Sequence, residues 1–177
     1  TKQKTKAMKN QNIFEKTFNV LESTGTNYSV EKIQLTTACG KTTGSFGNFR
    51  SDNGEWLGTT KERYTPFQNA QLVEQLLQAT EILNLDVTNG GTLKNGARVF
   101  YQIALPEQYI GKSSIKRNIS AINSHDGSTA ISFGSTNTVV VCQNTFFKAH
   151  REMEKVKHTE SAHGRVEAMA KNLSDTI

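Results

Sequence analysis

Hydrophobic positions along this chain change period several times, and each change marks an element. Ile13, Phe14, Thr17, Phe18 and Leu21 recur at helical spacing and predict a helix over residues 13–21, ended by Thr24-Gly25-Thr26-Asn27. Residues 28–38 are rich in β-formers and predict a strand. Residues 45–50 and 55–61 flank Ser51-Asp52-Asn53-Gly54, which predicts a hairpin with a glycine in its turn. Pro66 stops the second of these strands. Asn69 is the expected N-cap of a helix reaching about Leu83, with Leu72, Val73, Leu76, Leu77, Thr80 and Leu83 as its apolar face.

The second half is richer in strands. Residues 87–105 predict another hairpin: Gly90-Gly91 interrupts its first strand, Asn95-Gly96 signals a type I′ turn, and residues 98–105 form its second strand. Residues 109–116 are expected as a loop. Residues 117–144 predict a three-strand meander, with a turn at Asp126-Gly127, where glycine takes positive φ without steric cost. Its last strand is Val139-Val140-Val141-Cys142, a run without alternation and so expected to be buried on both faces. A helix over 144–156 follows, with Phe146, Phe147, His150, Met153 and Val156 inward. A last helix over 161–173 carries Val166, Met169, Ala170, Leu173 and Ile177 on one face.

Strands follow one another instead of alternating with helices. The fold class is therefore α+β: an antiparallel β-meander with a long helix packed across it and C-terminal helices. Residues 1–12, with Lys2, Lys4, Lys6 and Lys9, read as a basic flexible tail, and residues 13–177 as one domain. Only 35% of the 177 residues are hydrophobic. That is low for a compact monomer and points either to partial disorder or to a core completed by neighbouring subunits. The net charge of +5 suits a polyanionic partner. Two cysteines, Cys39 and Cys142, imply no disulfide framework. No apolar run approaches the length of a membrane span and no signal-peptide core is present, so a cytoplasmic location is expected.

Several segments together resemble a known family. They are Asn123-Ser124-His125-Asp126-Gly127-Ser128, Val140-Val141-Cys142-Gln143-Asn144-Thr145, Tyr64-Thr65-Pro66-Phe67-Gln68-Asn69, Gly91-Thr92-Leu93-Lys94-Asn95-Gly96-Ala97-Arg98-Val99-Phe100, and His158-Thr159. As a set, spread over roughly residues 46–173, they are similar to the phage/plasmid-like protein family, a group of domains of unknown function. The resemblance implies a phage, prophage or plasmid setting and no particular reaction. In architecture, a long helix on one face of a curved meander also resembles the ring-forming single-strand annealing proteins, although fold alone does not give function.

Signatures of catalysis are missing. Gly40-Lys41-Thr42-Thr43 ends like a phosphate-binding loop, but Leu35 stands where the first glycine belongs, so it reads as a loop. His125 and Asp126 are adjacent on a tight turn and point apart; they read as a turn whose Asp bonds the backbone. His150, His158 and His163 lack the close, rich spacing of a zinc site. Cys142, behind three valines, is expected to be buried and inert, and Cys39 has no local base. Neither catalytic residues nor a metal or cofactor is expected.

The basic residues suggest binding. Lys94, Arg98, Lys112, Lys116 and Arg117 lie in and beside the central hairpins, with only Glu107 and Asp126 as acids between Lys94 and Phe133. Tyr101 and Tyr109 are interleaved with them, and aromatic faces can stack bases. Lys148, Arg151 and Lys155 form a broken basic stripe on the following helix. The expected function is a single-stranded DNA-binding protein, a recombination or annealing protein of a phage or plasmid that acts as a homo-oligomer, ring or filament, without cofactor or membrane. The nominated contacts are Lys94, Arg98, Lys112, Lys116, Arg117, Tyr101, Tyr109, Lys148 and Arg151. Two other classes remain: a structural or host-interaction protein of a mobile element, and a hydrolase using His125 and Asp126.

Overall fold

The structure, a computed structural model, describes residues 2–175. Thr1, and Ile177 of the expected last apolar face, lie outside the described residues. Helix α1 spans Lys2–Ser23. It continues the expected 13–21 helix back through the lysine-rich opening read as a tail, a stretch of mostly good helix formers. Strands β1 (Val30–Thr36), β2 (Thr42–Arg50) and β3 (Trp56–Lys61) form one antiparallel sheet. The Gly40-Lys41 stretch makes the turn between its first two strands, with Gly40 at φ 82°.

Helix α2 (Asn69–Thr80) comes next and is prolonged by a 3-10 turn over Glu81–Leu83. Its N-cap is Gln68, not Asn69: the Gln68 backbone N–H donates to the Gln71 side chain at 2.9 Å, closing a capping arrangement. Strands β4 (Asn89–Leu93), β5 (Arg98–Ala104), β8 (Asn118–Ser124), β9 (Ile131–Thr136) and β10 (Glu154–Val156) build the main sheet, in spatial order β10-β9-β8-β5-β4, all antiparallel. Between β5 and β8 the chain leaves the sheet as a two-stranded arm, β6 (Gln108–Ile110) and β7 (Ser113–Ile115), where a loop was expected. Gly111 at φ 62° makes its turn. Helices α3 (Gln143–Glu152) and α4 (Ala162–Ser174) complete the order.

The main sheet is buried on both faces. Leu72, Val73 and Leu76 of α2 meet Val99, Tyr101 and Ile103 of β5 and Ile119 and Ala121 of β8 in the larger core. Phe100 and Ile122, the alternate residues, point the other way and pack with Phe146, Ala149 and Met153 around α3. The helix packed across an antiparallel meander is thus as expected, with a second layer formed by α3.

Two expectations fail between β9 and α4. Residues 139–142 are not a buried strand. Val140 alone enters the core, while Val139 and Val141 are exposed, as is Cys142. Side chains take over the hydrogen bonds that a ladder would have supplied. Gln102 accepts from the Val140 N–H at 2.7 Å and donates to the Thr138 carbonyl at 2.9 Å, and Asn89 donates to the Val140 carbonyl at 2.8 Å. The place beside β9 is filled instead by β10, because α3 stops at Glu152. Val156 therefore belongs to a strand and not to the helix expected over 144–156.

Candidate nucleic-acid interface and the His125 turn

The nominated residues separate into distinct places. Lys94 and Arg98 lie at the end of β5 that pairs with Ser124, whereas the arm springs from the opposite end, where Ala104 pairs with Asn118. Seven residues of strand put these ends about 20 Å apart. Arg98 is buried. Its Nη2 lies 3.4 Å from Asp126 Oδ2, its Nε donates to Ser128 Oγ at 3.3 Å, and its guanidinium rests 4.7 Å from the Phe147 ring centre. Lys94 pairs with the same Asp126 oxygen at 3.0 Å but keeps an exposed side chain. Tyr101 is fully buried and donates to Thr26 Oγ1 at 2.8 Å, so it offers no ring face to a partner. Its inward position on β5, beside Val99 and Ile103, decides this.

The arm holds the other nominated cluster together. Tyr109 is 70% exposed, and its hydroxyl donates to Glu107 Oε2 at 3.2 Å. Lys116 pairs with Glu107 Oε1 at 3.0 Å; together with the tyrosine it holds the Glu107 carboxyl below its ordinary range. Arg117 donates to Gln108 Oε1 at 2.6 Å, and Lys112 is exposed in the turn. Under the arm, Leu83, Leu105, Pro106, Ile119 and Leu173 line a cleft of about 380 Å³ with Arg117 at its wall. Lys148 and Arg151 are exposed on α3, but Lys155 falls in β10 and donates to the Met153 carbonyl, so the expected helical stripe ends at Arg151.

The His125–Ser128 turn is a junction of the fold. The His125 N–H donates to the Ala97 carbonyl at 2.7 Å, and its carbonyl accepts from Asn48 of β2 at 2.7 Å. Gly58 of β3 packs so closely that an added Cβ would sit 2.7 Å from Asp126 Cα. Asp126 Oδ1 accepts from the Ser128 N–H at 2.9 Å, which is the backbone-bonded turn that the sequence suggests. Burial pushes the Asp126 carboxyl up, but hydrogen bonds from Ser128 and Lys94 and the charge of Arg98 together bring it below its ordinary value.

The His125 ring is fully buried, with Nε2 2.8 Å from Asn69 Oδ1. The Asn69 amide nitrogen donates to the carbonyls of Thr26 and Tyr28, so Oδ1 is the acceptor and the imidazole carries its proton on Nε2. Nearby, His158 stacks on Tyr64 with ring centres 4.6 Å apart. Burial drives both imidazoles below their ordinary value, His125 to about 3 and His158 to about 4. His125 and Asp126 thus face different partners, and the geometry gives them no shared proton. Among the described residues no group of three or more His, Cys, Asp or Glu side chains could hold a metal ion.

Cys142 stands at the N-cap of α3 in the open, where hydrogen bonds from the Thr145 backbone and side chain lower its thiol. Cys39 is also exposed. Both thiols of the native protein are expected to react with a small disulfide reagent at the rate of an open cysteine. A native thiol count of one, rising to two only in denaturant, would contradict this placement.

The solvent face of the first sheet escaped the sequence reading. Ile33, Phe49 and Trp56 share that face, and Trp56 is 58% exposed. The Phe49 ring lies over Gly47, 2.5 Å from where a Cβ would stand. The signal was present in the alternation of β1, but a single strand does not reveal which face a sheet turns to solvent.

Fold and surface define a three-layer α+β protein with an exposed basic and aromatic arm. The chain belongs to the family described as a domain of unknown function (DUF932), whose model matches residues 56–177. No curated protein and no solved structure matches it. Among the described residues, no helix is long and apolar enough to cross a membrane.

Proposed function

We propose that this chain is a single-stranded DNA-binding protein of a phage or plasmid, acting as an oligomer in strand annealing or recombination in the cytoplasm of a bacterial host. The observation that supports this reading best is the arm. It presents an open tyrosine ring amid Lys112, Lys116 and Arg117, against one acid, Glu107. A ring face stacks on any base, and cations follow the phosphates, so the pair binds strands without reading sequence. Lys94, Lys148 and Arg151 would add contacts outside the arm. Arg98 and Tyr101 support the sheet from inside and drop out of the contact set. Neither a cofactor nor a catalytic residue is needed for this activity.

A second reading, a structural or host-interaction protein, is favoured by the apolar solvent face of the first sheet around Trp56. The hydrolase reading draws no support from His125, whose ring is sealed against Asn69.

Titrating a labelled oligonucleotide at several salt concentrations tests the proposal. Each phosphate contact should contribute about 0.7 to the fall of log K with log salt. Replacing Lys112, Lys116 and Arg117 together by Ala should flatten that slope by about 2. Tyr109→Ala should weaken binding by about 1–3 kcal/mol and leave the slope unchanged. Absence of binding, or arm variants that bind like the parent, would overturn the proposal. Metal-dependent cleavage would move the protein to the hydrolases.

A further inference from the structure

The two faces of the arm carry different chemistry. Neighbouring residues of a strand point to opposite sides, and residues paired across a ladder share a side. Tyr109 pairs with Ser114, and Gln108 with Ile115. Tyr109 therefore shares its face with Lys116, and the two meet at the Glu107 carboxyl. Gln108 shares the other face with Arg117, which donates to its Oε1 at 2.6 Å. That second face closes over the cleft of about 380 Å³, which Gln108 and Arg117 both line and Glu107 borders.

The cleft is held open by elements far apart in sequence. Leu83 comes from the turn after α2, Ile119 from β8 and Leu173 from α4, while Leu105 and Pro106 form the root of the arm. The Leu105 N–H donates to the Arg117 carbonyl at 2.9 Å, which fixes that root above the cleft. The Tyr109 ring is turned outward and does not fill it. Its volume lies within the range of about 300–1,000 Å³ usual for small-ligand sites. Apolar walls are joined by few polar groups: the Ser135 hydroxyl, the Arg117 guanidinium and the Gln108 amide, whose nitrogen remains a donor while its oxygen serves Arg117.

We infer that this cleft seats one base of the bound strand, its edge toward Gln108 and Ser135 and its phosphate on Arg117, while a neighbouring base stacks on Tyr109 across the arm. The inference rests on the strand-binding reading above and divides the arm's work between its two faces. Charge selects the occupant. Residues 105–119 hold three cations and one acid, a balance that suits a polyanion. An apolar peptide side chain would cover the walls but set carbon against the Ser135 hydroxyl and the Gln108 amide nitrogen, whereas a base offers both a flat apolar face and a hydrogen-bonding edge.

The test repeats the oligonucleotide titration with Ser135→Trp, which fills the cleft from β9 and leaves Tyr109 and the arm's cations in place. Affinity for an ordinary single strand should fall roughly tenfold with the salt slope unchanged. On a fully abasic strand of the same length, which has no base to seat, parent and variant should bind alike. A second measurement needs no variant: irradiating the parent with an oligonucleotide containing 4-thiothymidine should cross-link the tryptic peptide of residues 172–177, which carries Leu173. A variant that binds ordinary strands like the parent, an equal loss on the abasic strand, or cross-links confined to the Tyr109 peptide would overturn the inference while leaving strand binding by the arm intact. A parent that binds no strand would overturn both.

Discussion

Acidifying the protein from about pH 7 to about pH 5 is expected to remove roughly 3–4 kcal/mol of its stability. The source is the buried pair His125 and His158, held to about 3 and about 4 in the fold and free to return to 6.5 when unfolded. Below 6.5 the unfolded chain binds protons that the folded chain refuses. Stability is thus fully present above that value and declines as the pH falls, by about 1.4 kcal/mol per unit for each ring. The decline ends only when the folded rings themselves titrate. The charges facing the pair are Asp126, which favours protonation, and Lys94 and Arg98, which already neutralise it; burial outweighs them. Urea unfolding at the two pH values measures the effect, and His158→Gln should halve it. Equal stability at both pH values would mean that the rings are hydrated.

Asn69→Ala is expected to cost about 3–4 kcal/mol, more than loss of its side-chain volume would suggest. Its amide bonds the Thr26 and Tyr28 carbonyls and the His125 ring in a fully buried position. Truncation takes a partner from three polar groups in two segments, at about 1–3 kcal/mol for each bond left unmade, less what water and the Tyr28 N–H that stays on the Thr26 carbonyl recover. Chemical denaturation checks this, with Gln78→Ala on the exposed side of α2 as the near-neutral control. A loss below about 1 kcal/mol would show that water enters and replaces all three bonds.

Much of this fold was legible because its signals are local. The apolar face of α2, the glycine turns at Gly54 and Gly127, and the strand pattern of β5 each specify an element from within a short window. What was not legible depends on distant partners. Val139-Val140-Val141 has the composition of a strand, yet Gln102 and Asn89, far away in sequence, claim its backbone. Asn69 has the composition of an N-cap, but its amide is drawn inward by carbonyls from the segment before β1. The candidate interface was read in part. Cations and tyrosines are visible as residue types, whereas burial of Arg98 and Tyr101 follows from which face of β5 meets α2 and which meets α3. Phe14 and Phe18 share one periodic apolar face with Thr17 and Leu21, yet only the latter two are buried; periodicity finds the stripe without saying how much of it the body covers.

The closeness of Gly58 to Asp126 bears on whether the matched segment could stand alone. That segment opens at Trp56, the first residue of β3, so the boundary runs through the first sheet, between β2 and β3. On its far side lie β2, which pairs with β3, Asn48, which satisfies the His125 carbonyl, Thr26, which receives the Tyr101 hydroxyl, and the core residues Leu21, Tyr28 and Val30. In this chain the matched stretch is therefore part of a larger folding unit. Cut free at Trp56, it would lose the strand beside β3 and the Asn48 donor that closes the turn at the His125 carbonyl.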